Sequence, residues 1–167
     1  MYTSIAEFIG EWNQEAASTQ KIFDALTDAS LQQQVSPEDR KLGEIAWHIV
    51  SSTPGMLMEF GITVKEMQDP AAIPSSAREI AETFRSVSAQ TSEAVEQQWT
   101  DQNLSEMQNV FGNEMPKAIT LSLLIKHIIH HRGQLTVLMR QAGLKVPGVY
   151  GPAREEWSQM GMDAPTK

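Results

Sequence analysis

Apolar side chains recur along this chain at three- and four-residue steps, and that rhythm predicts helices. Ile5, Phe8, Ile9, Trp12, Ala16, Thr19, Phe23 and Leu26 fall on one side of an α-helix, so a first helix is expected from about Ser4 to Asp28. A second is expected after Ser36, with Pro37 at its first position, where the missing N–H would have had no partner anyway. Leu42, Ile45, Ala46, Ile49, Met56, Leu57 and Phe60 form its apolar set. Pro54 and Gly55 interrupt that set and predict a kink or break near Ser52.

From Gly61 to Ser75 the rhythm stops, and Pro70 and Pro74 mark a connection long enough to leave the choice of helix neighbours open. Ser76 and Glu79 have capping-box spacing and open a third helix, continued by Ile80, Phe84, Val87, Thr91, Val95 and Trp99. Thr100 to Pro116 is polar and reads as a loop, although Gly112 and Asn113, between Val110-Phe111 and Met115, would suit a short extended turn. The fourth helix, about Lys117 to Ala142, is apolar nearly all round in its first half, as expected of a helix packed on several sides. Gly143 follows as its C-terminal cap, and Arg154 to Met160 suits one short last helix.

Four long amphipathic helices, no convincing strand and no internal repeat predict an all-α protein, a four-helix bundle with a short C-terminal extension. At 167 residues the expectation is a single helical-bundle domain over 1–167. Trp12, Trp47 and Trp99 sit at helical spacing and are expected in the core, whereas Glu155-Glu156 is expected as a solvated face.

Charge narrows the partners. Thirteen Lys and Arg stand against 21 Asp and Glu, a formal charge of −8 that repels a phosphate backbone, so nucleic acid is excluded as a general partner. The most apolar stretch, Leu121 to Ile129, is interrupted by Lys126 and His127 and is too short to cross a bilayer, so no membrane partner is expected. Met1 to Gly10 lacks the basic start and apolar middle of a secretory signal, which makes the cytoplasm the expected compartment. With no cysteine there is no disulfide, thiolate ligand or cysteine nucleophile; any sulfur chemistry must come with a substrate.

The histidines are the main chemical signal. All four fall at two places: His48 in the second helix, and His127, His130 and His131 in the fourth. At about 100° per residue, His127 and His131 lie about 40° apart on the arc of Leu124, Leu135 and Leu138, and therefore point inward. Two imidazoles four residues apart can share one ion, because metal–nitrogen bonds of about 2.0–2.1 Å suit side chains leaning the same way. They can equally be core histidines bonded to each other or to a carbonyl.

A third ligand must come from another element. His48 lies at mid-height in its helix, as the pair does in its own, but projects about 100° from the centre of its apolar arc, a boundary position. His130 points about 100° away from His131 and reads as a surface or inter-helix residue. Glu44 and Glu59 share the His48 side of the second helix; they can orient a ligand or stand as solvated charges.

The run His127-Ile-Ile-His-His131-Arg-Gly-Gln-Leu135, followed by Leu138-Met-Arg-Gln-Ala-Gly-Leu-Lys-Val-Pro147 and Val149-Tyr-Gly-Pro152, resembles the DinB-like family, also called YfiT-like. The likeness extends over nearly the whole chain, because the family carries one histidine on an early helix, matched by His48 in Ile45-Ala-Trp-His-Ile-Val50. It implies a four-helix bundle holding a divalent metal, commonly zinc or nickel, on His48, His127 and His131. It also implies a homodimer, for which Gly133 would permit close helix approach.

Three protein nitrogens on a tetrahedral ion leave one position for water or substrate, the arrangement of a catalytic site. Relatives of this kind include transferases that use bacillithiol, mycothiol or glutathione. The leading expectation is thus a metal-dependent thiol S-transferase, with the metal holding a small-molecule thiol as thiolate and presenting it to an electrophile. A metal-dependent hydrolase of a small substrate and a non-catalytic, stress-related metal-binding protein are the alternatives.

Overall fold

The protein is described by a computed structural model over residues 1–65, 67 and 69–165. Residues 66 and 68 of the expected connection, and 166–167 of the expected domain, lie outside the described residues. Four long helices carry the fold: α1 (Ile5–Asp24), α2 (Leu42–Glu59), α3 (Ala77–Gln98) and α4 (Lys117–Gln141). The all-α bundle expected from the sequence is therefore present, with one small addition between α3 and α4.

Helix α1 starts where Ser4 Oγ accepts the Glu7 N–H at 3.2 Å. It ends four residues earlier than the apolar rhythm suggests. The amides of Ala25 and Leu26 bond to Ile22 and Phe23, tightening the last turn, while Leu26 stays buried outside the helix. Burial thus outlasts helical backbone at this end.

Helix α2 begins at Leu42, not after Ser36. Ser36 to Asp39 forms a separate turn, closed by the Asp39 N–H on the Ser36 carbonyl at 3.1 Å, and the Glu44 carboxylate caps α2 by accepting the Lys41 N–H at 2.8 Å. Of the kink or break expected near Ser52, the break is absent: α2 is one helix with Pro54 inside it. Proline removes the bond to the Val50 carbonyl and crowds that turn, and the hydroxyls of Ser52 and Thr53 add bonds to the neighbouring His48 and Ile49 carbonyls. Pro54 itself is buried, so packing holds the helix together across the defect.

In α3 half of the expected capping box forms, with Ser76 Oγ accepting the Glu79 N–H at 3.4 Å. Gly143 ends α4 as expected. Its φ of 76° is left-handed, and the amides of Gly143 and Leu144 bond back to Arg140 and Met139 in a Schellman pattern.

The segment read as a loop contains an antiparallel hairpin, β1 (Met107–Val110) and β2 (Asn113–Pro116), paired from Met107 opposite Pro116 to Val110 opposite Asn113. Its two-residue turn, Phe111-Gly112, has φ of 51° and 79°, as a type I′ turn requires. That turn normally carries Asn-Gly, and a phenylalanine in its first position disguises it. Phe111 is 61% exposed, so it gives up little burial in exchange for the strained backbone. Phe111→Asn is expected to stabilise the protein by about 1 kcal/mol, because asparagine tolerates left-handed backbone at less cost; chemical denaturation measures it, and a loss of stability would contradict the strain.

Helix α1 packs on α3 and α4, and α2 packs on the same two. The Ala77 N–H bonds to Asp28 beyond the end of α1, and the Ile5 N–H to Asp101 beyond the end of α3, so these helices are antiparallel. The Phe111 N–H bonds to Glu59 at the end of α2 just before α4 begins, so α2 and α4 are antiparallel as well. Gln98, at the end of α3, bonds to both backbone groups of Thr63, just past the end of α2, which makes α2 and α3 parallel. The order is up, down, down, up. A parallel pair needs a connection that runs back along the bundle, which accounts for the length of the segment between α2 and α3.

The core is continuous through the helices, with Phe8, Trp12, Phe23, Phe60 and Phe84 fully buried and Trp47 and Trp99 nearly so. Helix α4 buries Leu121, Leu124, Ile125, Ile128, Leu135, Leu138 and Met139 against its neighbours, each contributing about 1.5–3 kcal/mol. Inside this core sits an ion pair: Arg132 and Glu15, 2% and 4% exposed, meet at 2.5 Å. The Arg132 guanidinium also donates to Thr19 Oγ1, to the Glu15 carbonyl and to Tyr150 Oη, and that hydroxyl donates to the Glu15 carboxylate at 2.8 Å. The C-terminal segment is thereby fastened to α1 and α4.

Glu155 and Glu156 are not the solvated face expected of them. Glu155 pairs with Arg140, whose hydrogen bond holds its carboxyl down to about 2. Glu156 accepts the amides of Gly148 and Ala153 at 2.9 and 2.8 Å. The last short element is a 3₁₀ turn, Trp157–Met160, within the expected helix. Among the described residues no helix is long and apolar enough to cross a membrane.

Candidate metal centre

Because α2 and α4 are antiparallel neighbours, a residue near the middle of one faces the middle of the other. His48 occupies that place on α2, and His127 and His131, one turn apart, occupy it on α4. Their rings converge, with centroid separations of 5.0 Å for His48 and His127, 4.6 Å for His48 and His131, and 4.6 Å for His127 and His131. One ring nitrogen from each lies within 4.8 Å of the others. All three are half-buried.

His48 turns inward although its helix-wide periodicity placed it at a boundary. Ile45, Ala46, Trp47, Ile49 and Val50 are all buried, so α2 is enclosed on most sides at this level and its apolar face there is wider than its average. His130 is exposed, its ring edge-on to His131 at 4.9 Å and outside the cluster, as its angle predicted. Glu44 and Glu59 bond to the Lys41 and Phe111 amides, and neither bonds to a histidine among the described residues.

The chemistry of the three rings suits a cation. Burial, then the neighbouring His131, His48 and His130, pushes His127 down to about 4. Burial lowers His48 as well, followed by His131 and Arg40. His131 is lowered by burial first, against the upward pull of its bond to Gln134. All three are thus neutral at pH 7, the form that binds metal.

Nε2 of His48 and Nε2 of His127 stand 3.2 Å apart. Two nitrogens on a tetrahedral ion with bonds of about 2.05 Å are separated by about 3.3 Å, so the pair is already spaced for a shared ligand position. Among the described residues, one hydrogen bond is all that joins the three rings, and His127 Nδ1 is buried with no partner. The donor set therefore fits a divalent transition metal.

Beside His131 lies a cleft of about 580 Å³, bounded by Arg40, Ile45, His131, Gln134, Val137 and Leu138. Gln134 also holds His131 in place: its Oε1 lies 2.7 Å from His131 Nδ1 and accepts the proton there, which leaves the Nε2 lone pair free. The sequence reading missed this role, although a glutamine three residues beyond an inward histidine was a readable signal. Gln134→Leu is expected to weaken zinc or nickel binding about 10–100-fold, measured by competition with a chelator; unchanged affinity would show that the bond does not orient the ring.

The fold and the converging histidines define a class, helical bundles with a candidate three-histidine centre between antiparallel helices. The DinB family pattern matches residues 1–164, and the chain belongs to the DinB family. It is 42% identical over 165 residues to the uncharacterised protein YrdA of Bacillus subtilis, covering 99% of both chains. A DinB-like protein of Bacillus cereus, solved by crystallography, superposes with a TM-score of 0.85 at 46% identity, over 90% of this chain and all of the other. A second crystal structure, of the DinB-like protein YjoA of B. subtilis, matches at 0.66 and 19% identity over 86% of this chain and 96% of its own, which speaks to the fold alone.

Proposed function

We propose that this DinB-family protein is a metal-dependent enzyme that transfers a low-molecular-weight thiol to an electrophile, with His48, His127 and His131 holding a divalent zinc or nickel ion. The observation that carries the reading is the meeting of three neutral imidazoles at the side of a small-molecule cleft, with His131 common to both. A divalent ion held there supplies Lewis acidity that keeps a thiol ionised at neutral pH.

The chain's own residues do the rest. Gln134 would fix the His131 ring, and His48 and His127 face each other from two helices; three nitrogens on one ion would leave a further position for substrate, with the cleft beside His131 to receive it. Ile45, Val137 and Leu138 give the cleft apolar walls that displace water from a bound organic chain. With no cysteine in the chain, the sulfur arrives with the substrate. The reading includes a homodimer in solution; a particle of 18.6 kDa by light scattering would remove that part.

The test is incubation of the zinc- or nickel-loaded protein with a thiol panel, bacillithiol, mycothiol and glutathione, and a haloalkyl acceptor. Conjugate that forms with metal and disappears with His48→Ala supports transfer. No metal-dependent conjugate with any thiol overturns it.

A further inference from the structure

We infer that Arg40 anchors a carboxylate of the substrate, so that the cleft beside His131 takes a small anionic molecule held by its charge at one end and by its reacting group at the other. This rests on the reading of the cleft as a substrate site, and it adds the chemical class of that substrate.

The first observation is a comparison among the arginines. Arg78, Arg85, Arg132, Arg140 and Arg154 each pair with a carboxylate of the chain, at 2.5 to 3.2 Å. Arg40 is the sixth arginine, and among the described residues it makes no ion pair and no side-chain hydrogen bond. In a chain with 21 acidic residues and a net charge of −8, this exposed arginine at the edge of a cleft differs from the other five in lacking a carboxylate partner among the described residues. Its nearest acidic neighbour in sequence, Asp39, borders the same cleft, but its carboxylate accepts the Ser36 hydroxyl at 2.8 Å instead.

The second observation is placement. Arg40 precedes Lys41 at the start of α2 and borders the cleft with His131, so its guanidinium and the histidine centre are two polar features of one space. Ile45, Val137 and Leu138 line the same cleft. The volume, about 580 Å³, is within the usual range of small-molecule sites. A guanidinium with free N–H groups in a fixed fork is matched by a carboxylate, which it binds through two parallel bonds.

The experiment uses 3-mercaptopropionate and its methyl ester, in which a methyl group removes the charge opposite the sulfur. Calorimetry on the zinc-loaded protein should give a dissociation constant about tenfold lower for the acid. Arg40→Gln should bring the two ligands to equal affinity, and Arg40→Lys, which keeps the charge but not the fork, should restore part of the preference. Circular dichroism verifies that both variants are folded. Equal binding of acid and ester by the unaltered protein, or a preference that survives in Arg40→Gln, overturns the assignment.

Failure of the metal reading gives a different result. The side-chain N–H resonance of Arg40 should shift on addition of propionate to metal-free protein, and should not shift with methyl propionate. That response supports Arg40 even in a protein that retains no ion. Its absence, in protein shown to bind zinc, counts against Arg40 and leaves the three histidines intact.

Discussion

His127→Ala is expected to abolish the metal binding proposed for the protein. Of the three histidines, His127 is the one pushed furthest down by burial, and its Nε2 faces that of His48 at 3.2 Å, so it sits at the centre of the donor set. Losing an outer partner of a ligand costs about 10–100-fold in affinity, and losing the ligand itself is expected to exceed 100-fold or so. Elemental analysis after dialysis should fall from about one ion per chain to almost none, with chelator competition giving the ratio of affinities. His48→Ala should behave alike, whereas His130→Ala, outside the cluster, should keep its ion. Full retention in both His127→Ala and His48→Ala would dissolve the proposed centre and the thiol chemistry built on it.

Arg132→Ala should produce the largest loss of stability. The substitution leaves the Glu15 carboxylate, 4% exposed, with the Tyr150 hydroxyl as its remaining side-chain partner. Breaking one side of a buried ion pair costs about 3–5 kcal/mol. For a chain of this length that lowers the melting temperature by about 6–20 °C. The pair's net value is a separate matter, because attraction between buried charges is offset by their desolvation. Replacing both, Glu15→Leu with Arg132→Met, should recover most of the lost stability. Urea unfolding measures both variants; a loss under about 1 kcal/mol for Arg132→Ala would mean that water reaches the pair.

The sequence made the helices legible because each long helix has a face that must be dry, and residues such as Phe8, Trp12, Ile80 and Phe84 repeat at the helical period. What it hid were places where backbone and burial part company. Leu26 keeps the apolar rhythm after α1 has ended, and Pro37 mimics a helix start that belongs five residues later at Leu42. Phe111 occupies a turn position that asparagine normally advertises. Pro54 signalled a kink or a break, and the helix runs through it without breaking.

The candidate site was half legible. His127 and His131 declared themselves by spacing, since one helix fixes both. His48 depends on how α2 lies against α4, and its residue-by-residue angle fell short because the buried face widens locally around Ala46 and Trp47. It was the resemblance of the late helix that completed the set. Arg132 and Glu15 were invisible, since nothing in a charged residue's spacing distinguishes a solvated partner from one 117 positions away.

Helix α4 is the last long helix to be made, yet α1 and α2 both rest on it. As the chain emerges from the ribosome, three helices therefore wait with greasy flanks uncovered, and His48 waits without its counterparts. A nascent chain halted before residue 117 is a client for chaperones and not a smaller working protein.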